Sequence, residues 1–368
     1  MSQPKRILLS GGGTGGHIYP AIAIAQQFEK ELPGCEILFV GAKGAMEEQL
    51  VPKAGYTLKT LPISGLYRQL TMRNIIRNLQ LPYKLVASRF GARRILKGFS
   101  PDIAIGTGGY ASYPILSAAA GSVPVVALQE QNAWPGMVNR RLAPVADVVF
   151  LGNPDARNHL VNDNLINSGN PIRSTILNGN AINGRQHWNF QERPTLLITG
   201  GSLGAKTLNE SVEQQLDTLA LTDVNVLWQC GKLYYERLKR LQLPENVRLT
   251  AFIDNMPDTL AMADLVVCRA GASTISELIA LEKPSILVPS PNVAGDHQTA
   301  NAKSLSKHNA AEMVHDNDAR QHLIDRALSL LKEDKRRRTM RINLQAMQHR
   351  PAAEVIVEEL LRLYLVCT

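Results

Sequence analysis

Two Rossmann-like α/β domains are the architecture that the sequence predicts, and three observations support this. Apolar strand candidates alternate with helical patterns along nearly the whole chain, which is typical of parallel sheets with crossover helices. The chain has 368 residues, more than one hydrophobic core usually supports. An apolar strand, a glycine-rich turn and a helix recur in each half, so we define a first glycine loop (residues 11–16) and a second glycine loop (residues 200–205).

The strand candidates fall into two groups separated by a polar stretch. Those of the first half are 6–9, 36–40, 57–61, 102–105, 123–127 and 147–150. Asn, Asp and Gly then dominate as far as about residue 194. Those of the second half are 195–199, 224–229, 247–251, 265–268, 285–288 and 311–314. This division predicts an N-terminal domain over 1–169 and a C-terminal domain over 170–350.

The last segment, 351–368, begins with a helix-start proline and is apolar on most sides. It predicts a helix that packs back on the N-terminal domain.

Composition narrows the classes of partner. A net charge of +8 and a pI near 9.3 favour a negatively charged binding partner, which could be nucleic acid, an anionic membrane or a phosphorylated substrate. Aromatic residues make up only 5% and no nucleic-acid-binding motif occurs, so nucleic acid ranks last. Four scattered cysteines and the lack of a signal peptide or a membrane-spanning run predict a cytoplasmic chain without a zinc site.

The first glycine loop lies between a strand and a helix, so its backbone N–H groups can face an anion. His17-Ile18 stands where a Walker A loop needs Lys and Ser or Thr, which disfavours a P-loop nucleotidase. The next strand ends at Gly41, where a dinucleotide-binding fold needs an acidic residue. The loop therefore predicts only an anionic or sugar-like ligand, with a titratable histidine beside it.

The second half carries groups suited to a sugar nucleotide. The second glycine loop could cradle phosphate, with Ser202 as an added hydroxyl donor. Glu277 suits vicinal ribose hydroxyls better than phosphate, and Gln298 suits sugar hydroxyls. Arg173, in the link between the halves, is a fixed cation matched to phosphate. The Asp-x-Asp segment 316–318 resembles a metal motif but predicts a loop and an N-cap.

Residues 66–97 form a basic and apolar stretch within a segment, 49–101, that has no acidic residue. Apolar residues at helical spacing belong more often to a core than to a membrane face. Basic residues on the opposite side favour peripheral contact with anionic lipid. Both interpretations remain open at this point.

Six motifs follow one another along essentially the whole chain: Gly12-Gly13-Thr14-Gly15-Gly16-His17, Gly106-Thr107-Gly108-Gly109-Tyr110, Glu130-Gln131-Asn132, Gly169-Asn170-Pro171-Ile172-Arg173, Gly200-Gly201-Ser202-Leu203-Gly204-Ala205, and Ala270-Gly271-Ala272 through to Glu277. In this order they resemble the MurG family of bacterial peptidoglycan N-acetylglucosaminyltransferases. The resemblance implies the GT-B fold, in which two Rossmann-like domains face each other across a cleft.

The resemblance also implies an activity. N-acetylglucosamine (GlcNAc) would pass from UDP-GlcNAc to the C4 hydroxyl of MurNAc in undecaprenyl-linked lipid I, giving lipid II in peptidoglycan synthesis, with inversion and without a cofactor or metal. The protein would act peripherally at the cytoplasmic side of the inner membrane and contact the anionic leaflet through 66–97. No nucleic acid partner is expected.

The family's functional positions carry over residue by residue. The donor-binding residues are Thr14, Gly15, Gly16, Asn132, Arg173, Ser202, Ile253, Ala272, Ser273, Thr274, Ile275, Ser276, Glu277 and Gln298. The acceptor side comprises Gly13, Gly108, Gly109 and Tyr110. His17 is the first candidate for the catalytic base, because neutral imidazole titrates near working pH, and Glu130 is the second.

The chain departs from the family pattern at three positions. Gln129, Tyr113 and Leu203 replace the usual His, Gly and Gln, which predicts local reshaping of the acceptor side. The alternatives are another GT-B enzyme that uses a UDP-sugar, either a transferase for a glycolipid or natural product, or a UDP-GlcNAc 2-epimerase.

Overall fold

The computed structural model describes residues 3–65, 71, 79–201, 203–348 and 350–367. These form two compact units. The first unit comprises Met1–Arg173 and His349–Thr368, and the second comprises Ser174–Gln348. The first unit extends beyond the expected boundary at 169 and includes Arg173, which the sequence had assigned to the C-terminal domain.

The first unit is a seven-stranded parallel sheet with helices, in the strand order β3-β2-β1-β4-β5-β6-β7. Its strands are β1 (Arg6–Gly11), β2 (Glu36–Ala42), β3 (Thr57–Leu61), β4 (Ile103–Gly108), β5 (Val125–Glu130), β6 (Val148–Leu151) and β7 (Leu165–Asn167). Its helices are α1 (Gly15–Glu31), α2 (Glu47–Lys53), α3 (Leu81–Phe99), α4 (Ser112–Ala119) and α5 (Met137–Leu142), with 3-10 turns at Ala143–Val145 and Pro154–His159.

The central strands are apolar on both sides because helices cover both faces of the sheet. Ile7, Leu8 and Leu9 of β1 are fully buried, and successive residues belong to the cores on opposite faces. The C-terminal helix, α15 (Ala352–Cys367) in our numbering, joins one of these cores through Ile356 and Leu360. The expectation that the chain returns to the N-terminal domain is thereby confirmed.

The second unit is a six-stranded parallel sheet in the order β10-β9-β8-β11-β12-β13. Its strands are β8 (Thr195–Thr199), β9 (Asn225–Gln229), β10 (Val247–Thr250), β11 (Leu265–Cys268), β12 (Ser285–Leu287) and β13 (Glu312–Met313). Its helices, all preceding α15, are α6 (Ala181–Trp188), α7 (Lys206–Gln214), α8 (Leu216–Ala220), α9 (Lys232–Leu238), α10 (Met256–Met262), α11 (Ala272–Ala280), α12 (His297–Ser306), α13 (Asp316–Lys332) and α14 (Asp334–Ala346), with 3-10 turns at Ser174–Asn178 and Ala294–Asp296.

Both sheets have the doubly wound order of a Rossmann fold, so the predicted α/β class with two Rossmann-like domains is confirmed. In each, the order reverses beside the strand that carries the glycine loop: between β1 and β4, and between β8 and β11.

Helix α3 overturns the core interpretation of the basic stretch. Tyr83 is 77% exposed, Val86 56% and Phe90 67%, and with Leu79 just before the helix they form one stripe at helical spacing. The buried side of α3 consists instead of Ser88, Ala92 and Leu96. The rest of the predicted stretch, at 66–70 and 72–78, lies outside the described residues. No helix in the described part of the chain is both long and apolar enough to cross a bilayer.

Candidate active site

Each unit presents a glycine loop at its topological switch point, where ligands bind in open α/β sheets. In the first unit the first glycine loop begins at the last residue of β1, and the glycines at 108 and 109 lie at the end of β4, the neighbouring strand. In the second unit the second glycine loop follows β8, and the turn before α11 follows β11. The two predicted loops therefore occupy equivalent places in their own sheets.

The first glycine loop is packed tightly against the turn after β4. Gly13 has a φ of +84°, and a Cβ there would lie 2.9 Å from the Tyr110 ring, so both the backbone and the space require glycine. A Cβ on Gly109 would lie 2.2 Å from the Gly12 carbonyl oxygen. Three predicted acceptor-side residues, Gly13, Gly109 and Tyr110, thus come together as expected.

His17 is the third residue of α1, and its ring has a defined orientation. Its Nδ1 lies 2.9 Å from the Thr107 carbonyl oxygen and 3.0 Å from Gln131 Oε1. A backbone carbonyl only accepts hydrogen bonds, so Nδ1 carries the proton. In the neutral ring Nε2 is then the unprotonated nitrogen, which can take a proton from a substrate.

A chain of side-chain amides holds Gln131 in place. Gln131 Nε2 donates to the Thr107 carbonyl at 2.7 Å and also to Gln129 Oε1. Gln129 Nε2 donates to Asn170 Oδ1 at 2.8 Å, and Asn170 Nδ2 donates back to the Gln131 carbonyl at 3.0 Å. Gln129, one of the departures from the family pattern, is completely buried and is part of this support for His17.

Glu130 occupies a different environment from His17. It is 1% exposed, and its two carboxylate oxygens accept four hydrogen bonds. Oε1 accepts from the backbone and side-chain nitrogens of Asn132 at 2.9 and 3.1 Å. Oε2 accepts from Gly136 N at 3.0 Å and Asn139 Nδ2 at 2.9 Å. A carboxylate this fully engaged suits a role in shaping the 130–139 turn, so the geometry favours His17 as the base.

Arg173 closes the first unit beside the start of α1. Its guanidinium lies over the Tyr19 ring, 5.0 Å from the ring centroid. A cation over an aromatic face is attracted by the ring, so this contact helps to fix the position of the guanidinium.

The second glycine loop is interlocked with the end of β9. Gly204 has a φ of +78°, and a Cβ there would lie 1.9 Å from the Cys230 carbonyl oxygen. Gln229 Nε2, at the end of β9, donates to the Gly201 carbonyl at 2.9 Å and so fixes the loop to that strand. Helix α7 begins immediately after the loop, with no acidic residue in its first turn. Ser202, the predicted hydroxyl donor, lies outside the described residues.

A cavity of about 710 Å³ opens beside this loop. Besides the loop glycines, its lining includes three cationic side chains and two carboxylates, namely Lys206, Arg269, Arg320, Glu277 and Asp316. Thr274, Glu277 and Gln298, all predicted donor-binding residues, line the same cavity. It has the size of a small-ligand site and the charged groups that a nucleoside diphosphate requires.

Asp316 is the first residue of α13, so the loop and N-cap prediction for it is wrong. Its carboxylate forms an ion pair with Arg269 at 2.5 Å and accepts from Thr207 Oγ1 at 2.9 Å. Arg269 also donates to the Val288 carbonyl at 3.2 Å. The ion pair ties the cavity wall to α7 and α13.

Helix α11 enters the cavity with its N-terminus at Gly271, and no acidic residue lies in its first turn. Glu277 lies in the second turn. Burial, aided by the negative charge of Glu277, raises the pKa of the neighbouring Cys268 thiol to about 12. The thiol is therefore neutral and not a nucleophile.

The remaining residues predicted to bind the donor are not part of the cavity lining. Ala272, Ser273, Ile275 and Ser276 are on α11 beside the cavity, with Ile275 turned into the core. Ile253 is buried at the end of β10. Thr14, Gly15, Gly16 and Asn132 belong to the first unit.

Sequence reasoning missed several groups at these sites. Lys206, Arg269 and Arg320 line the cavity, and Gln131 orients His17. Each is near a predicted motif in sequence or in the sheet, so the strand order could have indicated them. Glu47 follows the end of β2, the strand beside β1, and was missed as well.

Comparison with known proteins agrees with this geometry. The model of the glycosyltransferase family 28 N-terminal domain matches residues 7–151, and that of the family 28 C-terminal domain matches residues 195–356. A Cytophaga hutchinsonii protein named UDP-N-acetylglucosamine–N-acetylmuramyl-(pentapeptide) pyrophosphoryl-undecaprenol N-acetylglucosamine transferase is 45% identical, over 97% of this chain and 96% of its own.

Two further relatives agree. The protein of the same name from Parabacteroides distasonis is 41% identical over 97% of this chain and 98% of its own. The crystal structure of Acinetobacter baumannii MurG superposes with a TM-score of 0.77 at 29% identity, over 98% of this chain and all of that one. The matched domains include both glycine loops and most strands of each sheet, and the chain belongs to glycosyltransferase family 28.

Proposed function

We propose that this enzyme transfers GlcNAc from UDP-GlcNAc to the C4 hydroxyl of MurNAc in lipid I, forming lipid II with inversion and without a metal. The names of its relatives support the donor and the acceptor. The observation that carries the proposal is the pairing of two different sites, a cavity with phosphate-binding chemistry in the second unit and an oriented imidazole in the first.

The donor nucleotide is assigned to the cavity of the second unit. Amides of the second glycine loop and the start of α7 bind the diphosphate, and Lys206 and Arg320 at the rim add positive charge. Glu277 accepts hydrogen bonds from the ribose hydroxyls. Gln298, whose Oε1 already accepts from Ser290 N at 2.9 Å, points its remaining amide donors to the sugar. As the glycosidic bond breaks, these donors stabilise the charge that develops on UDP.

The acceptor is assigned to the first unit. His17 Nε2 takes the proton of the C4 hydroxyl while the oxygen bonds to the anomeric carbon on the face opposite UDP. The Nδ1–H bonds to Thr107 and Gln131 stabilise the imidazolium that forms. Glycines 108 and 109 let the turn at the end of β4 pack closely against the His17 ring and the first glycine loop.

Membrane contact is assigned to α3. Its exposed stripe of Tyr83, Val86 and Phe90 is flanked by the exposed basic residues Arg89, Arg93, Arg94 and Lys97. An amphipathic helix of this kind lies in the interface of an anionic leaflet. We therefore place the enzyme peripherally at the cytoplasmic face of the inner membrane, where lipid I is its substrate.

Transfer is tested by incubating the purified protein with labelled UDP-GlcNAc and a lipid I analogue in the presence of EDTA. We expect a disaccharide product with the β configuration and one UDP released per product. Epimerised sugar nucleotide without an acceptor product would instead identify a UDP-GlcNAc 2-epimerase. Activity only after addition of a divalent cation would contradict the metal-free mechanism.

Membrane binding is tested by sedimentation with anionic vesicles across a salt series. The variant Phe90→Ser is expected to bind more weakly than wild type, since it removes a residue 67% exposed on the α3 stripe. Ile342→Ser on α14 removes an apolar residue 65% exposed in the other unit and is the matched control. Equal binding by all three proteins would remove α3 from the proposal.

A further inference from the structure

Glu47 is the first residue of α2, and its carboxylate is completely buried. Its Oε1 accepts from Ala42 N at 2.8 Å, and its Oε2 accepts from Gly13 N at 3.0 Å. One side chain therefore bridges the end of β2 and the first glycine loop. A buried charge is costly unless its oxygens are hydrogen-bonded, and here both are.

The backbone around Glu47 is shaped to receive this carboxylate. A Cβ on Gly12 would lie 2.2 Å from Glu47 Oε1, and a Cβ on Gly41 would lie 2.5 Å from Glu47 Cγ. Neither position accepts a larger residue while Glu47 stays in place. Two glycines thus make room for a negative charge that belongs to the chain itself.

A few contacts connect the Glu47–Gly13 hydrogen bond to His17. Gly12 N donates to the Gly108 carbonyl, and a Cβ on Gly108 would lie 3.1 Å from the His17 ring. Thr107 Oγ1 donates to the His17 carbonyl at 2.7 Å. A displacement of the first glycine loop would therefore move both the start of α1 and the wall on which the imidazole packs.

We propose that Glu47 is a positioning residue that acts as the resident anion of the first glycine loop. Its carboxylate keeps the loop ordered in the absence of any phosphate and so holds His17 in the orientation that transfer requires. Because the Gly13 amide is already engaged by Glu47, it is not a donor for the diphosphate of the nucleotide. The inference rests on the proposed transfer reaction for its activity readout.

The test is chemical rescue of Glu47→Ala. Relative to glutamate, this variant lacks the atoms of one acetate ion. We expect kcat to fall about 10²-fold, as for a displacement of about 1 Å at a catalytic group, while the KM for UDP-GlcNAc changes less than about twofold. Acetate at high concentration should restore at least a tenth of the lost kcat. Acetamide, which has the same shape but only one acceptor oxygen, should restore none.

Two further variants serve as a control and as a second test of the role of Glu47. Glu48→Ala removes the exposed neighbouring carboxylate and should neither lose activity nor respond to acetate. Glu47→Gln fills the same space but turns an NH₂ group towards a backbone N–H donor, so it should lose activity without rescue. This second variant keeps the test decisive if the alanine variant folds poorly.

A readout without catalysis separates this inference from the proposed function. The ¹³Cε1 and ¹Hε1 resonances of His17 should shift in Glu47→Ala and return with acetate, whether or not lipid I is a substrate. Wild type without transfer activity but with this response would overturn the proposed function alone. Unchanged His17 resonances, or loss of activity that appears only as an increased KM for UDP-GlcNAc, would overturn the role of Glu47.

Discussion

The two glycine loops start from similar sequences and occupy equivalent places in their sheets, yet the charged groups around them differ. The first contains its own anion, since Gly13 N donates to the buried Glu47. The second adjoins a cavity lined by three cationic side chains and two carboxylates, and no acidic residue lies in the first turn of the helix that follows it. A glycine-rich turn is therefore not sufficient evidence of a phosphate site, because a charged side chain from elsewhere in the fold can engage its amides, as Glu47 engages that of Gly13.

The largest expected effect is a loss of catalysis, without a loss of UDP binding, when His17 beside the first glycine loop is replaced. His17→Ala removes the proton acceptor, so kcat should fall about 10³-fold with little change in the affinity for UDP. Measured pH–rate profiles should also lose the limb that reports the imidazole. His308→Ala, an exposed histidine of the second unit, is the control. A variant profile identical to wild type would remove His17 as the base.

A smaller effect is expected when the second glycine loop is distorted. Gly204→Ala places a Cβ against the Cys230 carbonyl, 1.9 Å away, and should destabilise the second unit by about 3 kcal/mol and abolish UDP binding. Gly201→Ala has a similar φ of +77° but open space around its Cβ, so it should cost only about 1 kcal/mol. Equal losses in denaturant unfolding would show that the interlock with β9 is unimportant.

Glu277→Gln tests the carboxylate of the donor cavity. Losing a charged acceptor for ribose hydroxyls should weaken UDP binding by about 2 kcal/mol, roughly 30-fold, with the His17 resonances unchanged. Isothermal titration with UDP and with 2′-deoxy-UDP gives the comparison. If both ligands lose affinity for the variant equally, Glu277 does not contact the 2′-hydroxyl.

The smallest expected effect is a pH dependence in the stability of the second unit, caused by the partly buried amine of Lys283. Burial lowers the pKa of Lys283 from 10.5 to about 8, although its Nζ donates to the Ala261 and Ala263 carbonyls at 2.9 Å. Between these two values the unfolded chain binds more protons, so the stability of the second unit should rise with pH. The full change in pKa corresponds to about 3 kcal/mol, and we expect about 1–2 kcal/mol because Lys283 is only partly buried.

Denaturant unfolding of the second unit from pH 7 to pH 10.5 measures this dependence. Lys283→Met should flatten it, whereas Lys332→Met, at an exposed position of α13, should retain it. A wild-type stability that falls over the same range would contradict the assigned direction.

Much of the fold could be predicted because apolar runs bounded by glycine and polar residues mark buried strands. The bounds of β3, β8 and β11 were predicted to the residue. Strand β7 (Leu165–Asn167) was missed because it is short and lies within a polar stretch, where pairing with β6 and not local propensity creates it.

The candidate site was predictable only where residues within one motif act together. The loop glycines, Glu277 and Gln298 could be proposed from the sequence because each lies in or near a turn after a strand. Glu47 and Arg269 were missed because their partners, Gly13 and Asp316, are distant in sequence. Periodicity likewise gave α3 an apolar face but could not show that the face is exposed.

Hydrogen–deuterium exchange with and without UDP tests the central contrast most directly. We expect UDP to slow exchange in the second glycine loop and at the start of α11 and to leave exchange in the first glycine loop unchanged. Protection of residues 11–16 by UDP, without protection of residues 200–205, would contradict it.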